Sequence, residues 1–294
     1  MPEVCSTLKE ILYRHGNIAI APGCYDAIGA RLIEEAGFPL AYMSGLAVAA
    51  SLGYADIGII GLTEMVKRAQ VIAGSIDIPL LADADTGYGG PSNIARTVRE
   101  FERAGVAGIH LEDQSNPKRC AALPGKDLVS IAEMTARIQV AVAARKNPDF
   151  MIIGRTDAFP YEGLEASIAR ARAYEEAGAD ATMIMLVNQI PDMRTVVTSL
   201  HKPTLVLMSE KLNPLIGRET LQEIGFPVVV YPLSTIKSAV HAQENILKSL
   251  NSNGTTGQVL DQLVSINQLH ELMDTQEAIV KEQVFSAMSN TRCA

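Results

Sequence analysis

Pro79-Leu80-Leu81-Ala82-Asp83-Ala84-Asp85-Thr86-Gly87-Tyr88-Gly89-Gly90-Pro91 holds a complete passage from strand to helix. Residues 79–82 form a short apolar run. Charge ends it at Asp83-Ala84-Asp85, a glycine-rich turn follows through Pro91, and a segment with helical spacing begins after Ser92. An apolar run without alternation fits a strand buried on both faces, as in a parallel sheet.

Seven further runs of the same kind lie on either side, at 18–21, 40–43, 108–111, 150–153, 182–187, 204–208 and 228–231. With 79–82 they make eight, the number of a (β/α)8 barrel. Helical patterns separate them. Thr63 is placed to cap a helix burying Met65, Val66, Ala69 and Ile72. Ser92 is placed to cap one burying Ile94, Val98 and Phe101. Ser130 and Glu133 have capping-box spacing ahead of Met134, Ile138 and Val142, and Leu164, Ile168 and Ala171 form another stripe.

Four helix ends read alike: Glu35-Ala36-Gly37-Phe38, Arg103-Ala104-Gly105-Val106, Glu176-Ala177-Gly178-Ala179 and Glu223-Ile224-Gly225-Phe226. Glycine just past a helix takes the left-handed conformation and turns the chain into the next strand. The repetition supports a TIM-type α/β barrel, with an open doubly wound sheet as the alternative. The barrel domain is expected over residues 1–250. Residues 251–257 read as a flexible connection. A helical extension at 251–294, carrying Leu260, Leu263, Ile266, Leu269 and Leu272, needs a partner surface on its own barrel or on another subunit.

Composition narrows the function classes. The 294 residues are 48% hydrophobic and 20% charged, which suits a large packed core and excludes wholesale disorder. The net charge is −8 and no Lys/Arg block occurs, which argues against nucleic acid. No run reaches the length of a membrane span, and residues 1–20 lack a secretory layout. Cys5, Cys24, Cys120 and Cys293 show no zinc spacing, so reduced thiols in a cytoplasmic protein are expected.

In such barrels the chemistry sits at the C-terminal ends of the strands. Here those ends read Ser44-Gly45, Asp83-Ala84-Asp85, Glu112-Asp113, Arg155-Thr156-Asp157, Asn188, Ser209-Glu210 and Tyr231-Pro232. In an extended segment Asp83 and Asp85 would point the same way. Two adjacent carboxylates call for a cation, and Asp56 and Glu112 are further candidates for the same centre. Oxygen donors without His or Cys favour Mg2+ or Mn2+ over zinc. The three glycines after Asp85 suggest close backbone approach and a movable loop, but their spacing is wrong for a dinucleotide site. Lys118-Arg119-Cys120 falls in a long loop of the kind that serves as a lid, where basic neighbours would lower the Cys120 pKa.

Together these residues resemble the phosphoenolpyruvate mutase/isocitrate lyase superfamily. The match runs from about Pro22 to Pro232. It is carried by Asp83-Ala84-Asp85-Thr86-Gly87-Tyr88-Gly89, by Glu112-Asp113-Gln114 with Asn116-Pro117-Lys118-Arg119-Cys120, and by Arg155-Thr156-Asp157-Ala158. Ser44-Gly45-Leu46 and Asp56 also fit. The resemblance implies an α/β barrel, often a homotetramer that exchanges C-terminal helices. It implies Mg2+ bound by Asp83, with Asp56, Asp85 and Glu112 holding its waters. Ser44, Gly45, Leu46 and Arg155 would grip a small carboxylate substrate, and Lys118, Arg119 and Cys120 would ride on a gating loop.

The activity implied is Mg-dependent cleavage of a carbon–carbon bond in a 2-hydroxy or 2-keto dicarboxylate, through an enolate-type intermediate, to an α-keto acid. Arg155 would polarise the forming carbonyl and Cys120 would protonate the carbanion. Tyr42 or a water on the metal is a guess for the base. The sequence departs from the lyases at Ala121 and Ala122, which replace a Gly-His pair, and at Met185 and Leu207, where lyases have Glu and Asn. Glu210 matches a lyase Glu. Loss of three polar partners points to a smaller or more alkylated substrate than methylisocitrate. Two alternatives are a phosphonate mutase or hydrolase, which Leu46 resembles, and a catalytically impaired barrel that binds an oxo-acid.

Overall fold

A computed structural model describes residues 2–210 and 215–291. Strand β1 (Ala19–Cys24) pairs with both β2 (Ala41–Met43) and β8 (Val228–Tyr231), so the sheet has no edge. Between them run β3 (Leu80–Asp83), β4 (Gly108–Glu112), β5 (Met151–Thr156), β6 (Ala181–Ile184) and β7 (Thr204–Leu207), all parallel and in chain order. The expected eight-stranded barrel is the fold, and each expected run contributes a strand. The runs are buried on both faces, which is why they lack alternation.

Helix α1 (Pro2–Tyr13) precedes the barrel. Its connections carry α2 (Ala27–Glu35), α3 (Gly45–Ser51), α4 (Leu62–Ala73), α5 (Pro91–Arg103), α6 (Ile131–Ala144), α7 (Phe159–Glu176), α8 (Ile190–Ser199) and α9 (Arg218–Ile224). The apolar stripes face inward as expected: Met65, Ala69 and Ile72 on α4, and Ile94, Val98 and Phe101 on α5, are buried. Each such side chain contributes roughly 1.5–3 kcal/mol. Gly37, Gly105, Gly178 and Gly225 all have φ between 79° and 109°, so the repeated helix ends are what their spelling predicts.

Three capping expectations need correction. Helix α4 starts at Leu62 with Gly61 as N-cap, not Thr63, because the Glu64 carboxylate reaches back to the Gly61 amide at 3.1 Å. Helix α5 starts at Pro91 with Gly90 as N-cap, not Ser92, since proline is preorganised for the first turn. Ser130 does cap α6, but Glu133 does not reciprocate; its carboxylate takes the Arg137 guanidinium at 2.6 Å.

The chain divides into two compact units, Met1–Ile236 and Lys237–Ala294, with the division inside α10 (Ser234–Asn253). Residues 251–253 are therefore helical, and the expected loose connection starts only at Gly254, at φ 67°. The expected single tail helix is broken. Leu260–Gln262 is a 3-10 turn, Ser265 and Gln268 form a capping box on α11 (Ile266–Leu272), and α12 (Thr275–Thr291) follows. Of the apolar residues in that tail, Leu272 is buried while Leu260, Leu263, Ile266 and Leu269 are exposed. Among the described residues, no helix is long and apolar enough to cross a membrane. Cys293 lies outside the described residues.

Candidate active site

Strand register assembles the site. Asp83 on β3 is the partner of His110 on β4, and Glu112 on β4 is the partner of Arg155 on β5. Gly108, His110 and Glu112 alternate along β4, so the two polar side chains share a face. The Arg155 guanidinium lies 2.9 Å from Glu112 Oε2, 3.8 Å from Asp83 Oδ2 and 3.1 Å from Asp157 Oδ2.

Asp83 and Asp85 do meet, but not by the strand alternation expected of them. The strand ends at Asp83, and Asp85 is left-handed at φ 47° rather than extended. The Asp85 amide donates to Asp83 Oδ1 at 3.0 Å. That turn, not strand alternation, brings both carboxylates to the barrel mouth. Gly87 is left-handed too, and a Cβ there would lie 2.7 Å from Ile94 Cγ1. Thr97 Oγ1 donates to the Gly87 carbonyl at 3.0 Å. The expected movable glycine loop is thus pinned to α5.

Lys118 comes in from the long loop after β4. Its ammonium pairs with Asp56 and lies 2.6 Å from Asp85 Oδ1. Burial works against this charge, but Asp85, Glu112, Asp83 and Asp56 outweigh it and hold the Lys118 pKa above its ordinary value. Burial likewise works against Arg155, and Asp157, Glu112 and Asp83 keep it charged. Against these two cations stand Asp56, Asp83, Asp85, Glu112 and Asp157, an excess of acid. Burial pushes Asp85 up to about 6 and Glu112 well above the carboxylate range. Burial would also raise Asp83, but His110, which is charged in the acid range where Asp83 titrates, together with Arg155 and Lys118 prevails and holds it at about 2.

A hard divalent cation fits this set. Asp85 Oδ1 and both Glu112 oxygens are buried without a well-aligned hydrogen bond, despite the cations within ion-pair distance. A Cβ on Gly45 would stand 2.8 Å from Asp83 Oδ2, so glycine leaves that oxygen room. Among the described residues, no three His, Cys, Asp or Glu side chains converge closely enough to ligate an ion together. One direct carboxylate with others reaching the ion's waters suits Mg2+, which dehydrates reluctantly.

Ser44 caps α3, accepting from Ala47 N at 3.3 Å, and Leu46 is half-buried beside it. Tyr42 is buried, its hydroxyl 2.8 Å from His110 Nε2 and its ring stacked on the imidazole. Burial depresses His110 to about 4, so the ring is neutral, and its Nδ1 faces Asp83 Oδ1 at 3.7 Å. Burial and Asp83 raise Tyr42 far above its usual pKa. Cys120 is partly exposed, and its amide donates to the Asp56 carbonyl at 2.9 Å. Its pKa is raised, not lowered as its basic neighbours suggested, because burial of the thiol is the largest influence.

Two expected residues are placed differently. The Arg119 side chain is exposed and donates to the Pro124 carbonyl at 3.4 Å; its backbone, not its guanidinium, is tied to the site. Glu210 is exposed and accepts from Ser234 Oγ at 2.5 Å. Ala122 is exposed, whereas Met185 and half-buried Leu207 sit in the apolar cluster that also holds Tyr42. His110 was not singled out in the sequence, and Gln114 and Asp157 stood there within motifs but with no role of their own. Alternation along 108–112 is the signal that marks His110.

A family model described as phosphoenolpyruvate phosphomutase matches residues 8–251. The chain is 42% identical to "Probable 2-methylisocitrate lyase 1" of Corynebacterium glutamicum, over 91% of this chain and 88% of the relative. It is 39% identical to 2,3-dimethylmalate lyase of Eubacterium barkeri, over 93% and 92%. A solved structure of oxaloacetate acetylhydrolase with the inhibitor 3,3-difluorooxalacetate superposes with a TM-score of 0.91 at 34% identity, covering 97% of this chain and 98% of that one.

Proposed function

The chain belongs to the phosphoenolpyruvate phosphomutase family, and on that premise we propose that it is a lyase acting on a 2-hydroxy or 2-keto dicarboxylate. It breaks a carbon–carbon bond, releasing an α-keto acid from a 2-hydroxy substrate; a 2-keto substrate would first take up water to supply the hydroxyl and would release a dicarboxylic acid instead. One observation carries this reading. A thiol with a raised pKa, Cys120, stands two residues from Lys118, whose ammonium is seated among the site carboxylates.

Asp83, supported by Asp56, Asp85 and Glu112, would hold Mg2+ or Mn2+, which when bound supplies Lewis-acid polarisation of the substrate's α-oxygen. Arg155 and the Ser44-Gly45-Leu46 backbone bind the carboxylate next to that oxygen. The substrate hydroxyl passes its proton to a water at the barrel mouth as the bond to the neighbouring carbon breaks. The electron pair passes to that carbon, beside the second carboxylate, and the Cys120 thiol delivers a proton there. A raised pKa suits this role, because the thiol still carries its proton at neutral pH. Burial disfavours Tyr42 as the base, because it raises the phenol above its usual range.

The charged side chains come from the β2–β5 side of the mouth, while β6 and β7 run out into Met185 and Leu207. Met185 and Leu207 themselves give an extra carboxylate there no polar partner. The substrate is therefore smaller or more alkylated than methylisocitrate. The working form is a cytoplasmic homotetramer that exchanges its C-terminal helices.

A substrate panel with Mg2+ tests the reading. Keto acid should appear from alkylated malates, with kcat/KM above that for methylisocitrate or isocitrate. Efficient turnover of either tricarboxylate refutes the substrate class. Leu46 following Ser44-Gly45 favours a second reading, phosphorus–carbon chemistry; turnover of phosphonopyruvate with no keto acid from malates would select it. Metal-dependent oxalate binding without turnover of any candidate would select an impaired barrel.

A further inference from the structure

Gln114 stands at the stem of the loop that carries Lys118 and Cys120, where its backbone bridges antiparallel to Leu128. The residue is 1% exposed. Its carboxamide oxygen accepts from the Arg119 amide at 2.8 Å. Its nitrogen donates to the Arg119 carbonyl at 2.9 Å and to Asp157 Oδ2 at 2.5 Å. The carboxylate partner settles which end of the amide is nitrogen, because two oxygens at that distance would repel. Asp157 also receives Arg155 Nη2, at 3.2 Å on Oδ1 and 3.1 Å on Oδ2.

One buried carboxamide thus grips the backbone next to Cys120 and shares an acceptor with the Arg155 guanidinium. Two of its three bonds exist only while the loop lies in this position. If the loop withdrew, a buried amide would lose partners for both ends, which is costly. It would then lean on Asp157 alone, on the acceptor that also orients Arg155.

We propose that Gln114 is a positioning residue that couples the loop to Arg155, so that loop closure and a correctly held guanidinium form one cooperative state. The loop is held at other points as well. Thr86 Oγ1 donates to Asn116 Oδ1 at 2.9 Å, and Lys118 is tied to Asp56 and Asp85. Of these three anchors, the Gln114 contact is the one that leads through a shared carboxylate to Arg155. A ligand that engages Arg155 therefore favours the closed loop, and the closed loop favours the ligand, by the reciprocity of linked equilibria. The consequence for substrate rests on the lyase reading; the coupling within the protein does not.

The test measures the loop directly, in the full-length protein with Mg2+ present. Cys120 is alkylated with N-ethylmaleimide and followed by peptide mass spectrometry, with amide hydrogen exchange over residues 116–122 alongside. Gln114→Glu keeps the shape but removes both donated bonds and sets a carboxylate against Asp157. It should raise the alkylation rate and the exchange about tenfold or more. Gln114→Leu keeps the volume without the charge and carries the test if the first variant does not fold. Asp157→Asn should loosen the loop less. The double variant should show less than the sum of the two single effects, as for residues that share a network.

Wild-type alkylation and exchange in a folded Gln114 variant would overturn the proposal, as would strict additivity in the double variant. If no 2-hydroxy acid is turned over, the lyase reading fails while these measurements still decide the coupling. Where turnover is present, kcat/KM should fall with Mg2+ affinity unchanged. A merely structural defect would lower both.

Discussion

Glu112 and Arg155 are register partners on neighbouring strands, and their charged ends meet at 2.9 Å inside the barrel mouth with almost no exposure to solvent. Each group needs the other there, because burial disfavours the charged form of both and their mutual attraction opposes it. Replacing Arg155 with Ala leaves Glu112, Asp83 and Asp157 buried without their cation. The loss should be about 3–5 kcal/mol of stability, read by urea unfolding. Arg155→Lys keeps a charge but not the two-pronged geometry, so it should recover part of that stability while activity stays at least roughly 100-fold down. Near-wild-type kcat/KM for Arg155→Lys would remove the guanidinium from substrate binding.

Cys120 is expected to act through its proton. Cys120→Ala should lower keto-acid formation about 100- to 10,000-fold while Mg2+ binding by calorimetry is unchanged. Because burial raises the thiol pKa, less thiolate is present at pH 7–8 than for a free cysteine, so N-ethylmaleimide should react more slowly than with a model thiol. Unchanged turnover in the Ala variant would take Cys120 out of the reaction.

Gly45 has its α-carbon against the Asp83 carboxylate, and a Cβ would lie 2.8 Å from Oδ2. That oxygen belongs to a buried carboxylate hemmed in on other sides by His110 and Arg155. Gly45→Ala should therefore turn Asp83 aside and weaken Mg2+ or Mn2+ binding about 10- to 100-fold, the range seen when groups orienting a ligand are disturbed. Thermal unfolding of the metal-free protein should move little. Wild-type metal affinity would show that Asp83 is not the direct ligand.

Protons and a divalent cation should compete at this site. Burial raises Asp85 to about 6, above the roughly 3.9 of the unfolded chain. The folded metal-free protein thus holds the extra proton more tightly. The stability this group contributes is fully present below about 3.9 and is lost as pH rises through about 6. Mg2+ takes the place of that proton. Its stabilising effect, about 2.7 kcal/mol at a hundred times Kd, should be larger at pH 8 than at pH 5.5. An equal Mg2+ shift in melting temperature at both pH values would refute the competition.

The eight strands and the glycine at each repeated helix end could be read along the chain, because burial on both faces and left-handed turns impose residue types locally. The acidic strand ends, the Lys118-Arg119-Cys120 segment and Arg155 were legible for a similar reason: charge at the end of an apolar run stands out within a few residues. Register was not legible. It sets Asp83 beside His110 and Glu112 beside Arg155 through hydrogen bonds between strands. The Asp56–Lys118 pair spans 62 positions, and no local pattern foretells it. The turn at Asp85, the bridge from Gln114 to Asp157, and the direction of the Cys120 shift likewise come only from the closed barrel. Closure is what removes water, and once water is gone burial outweighs the basic residues that lie near Cys120 in sequence.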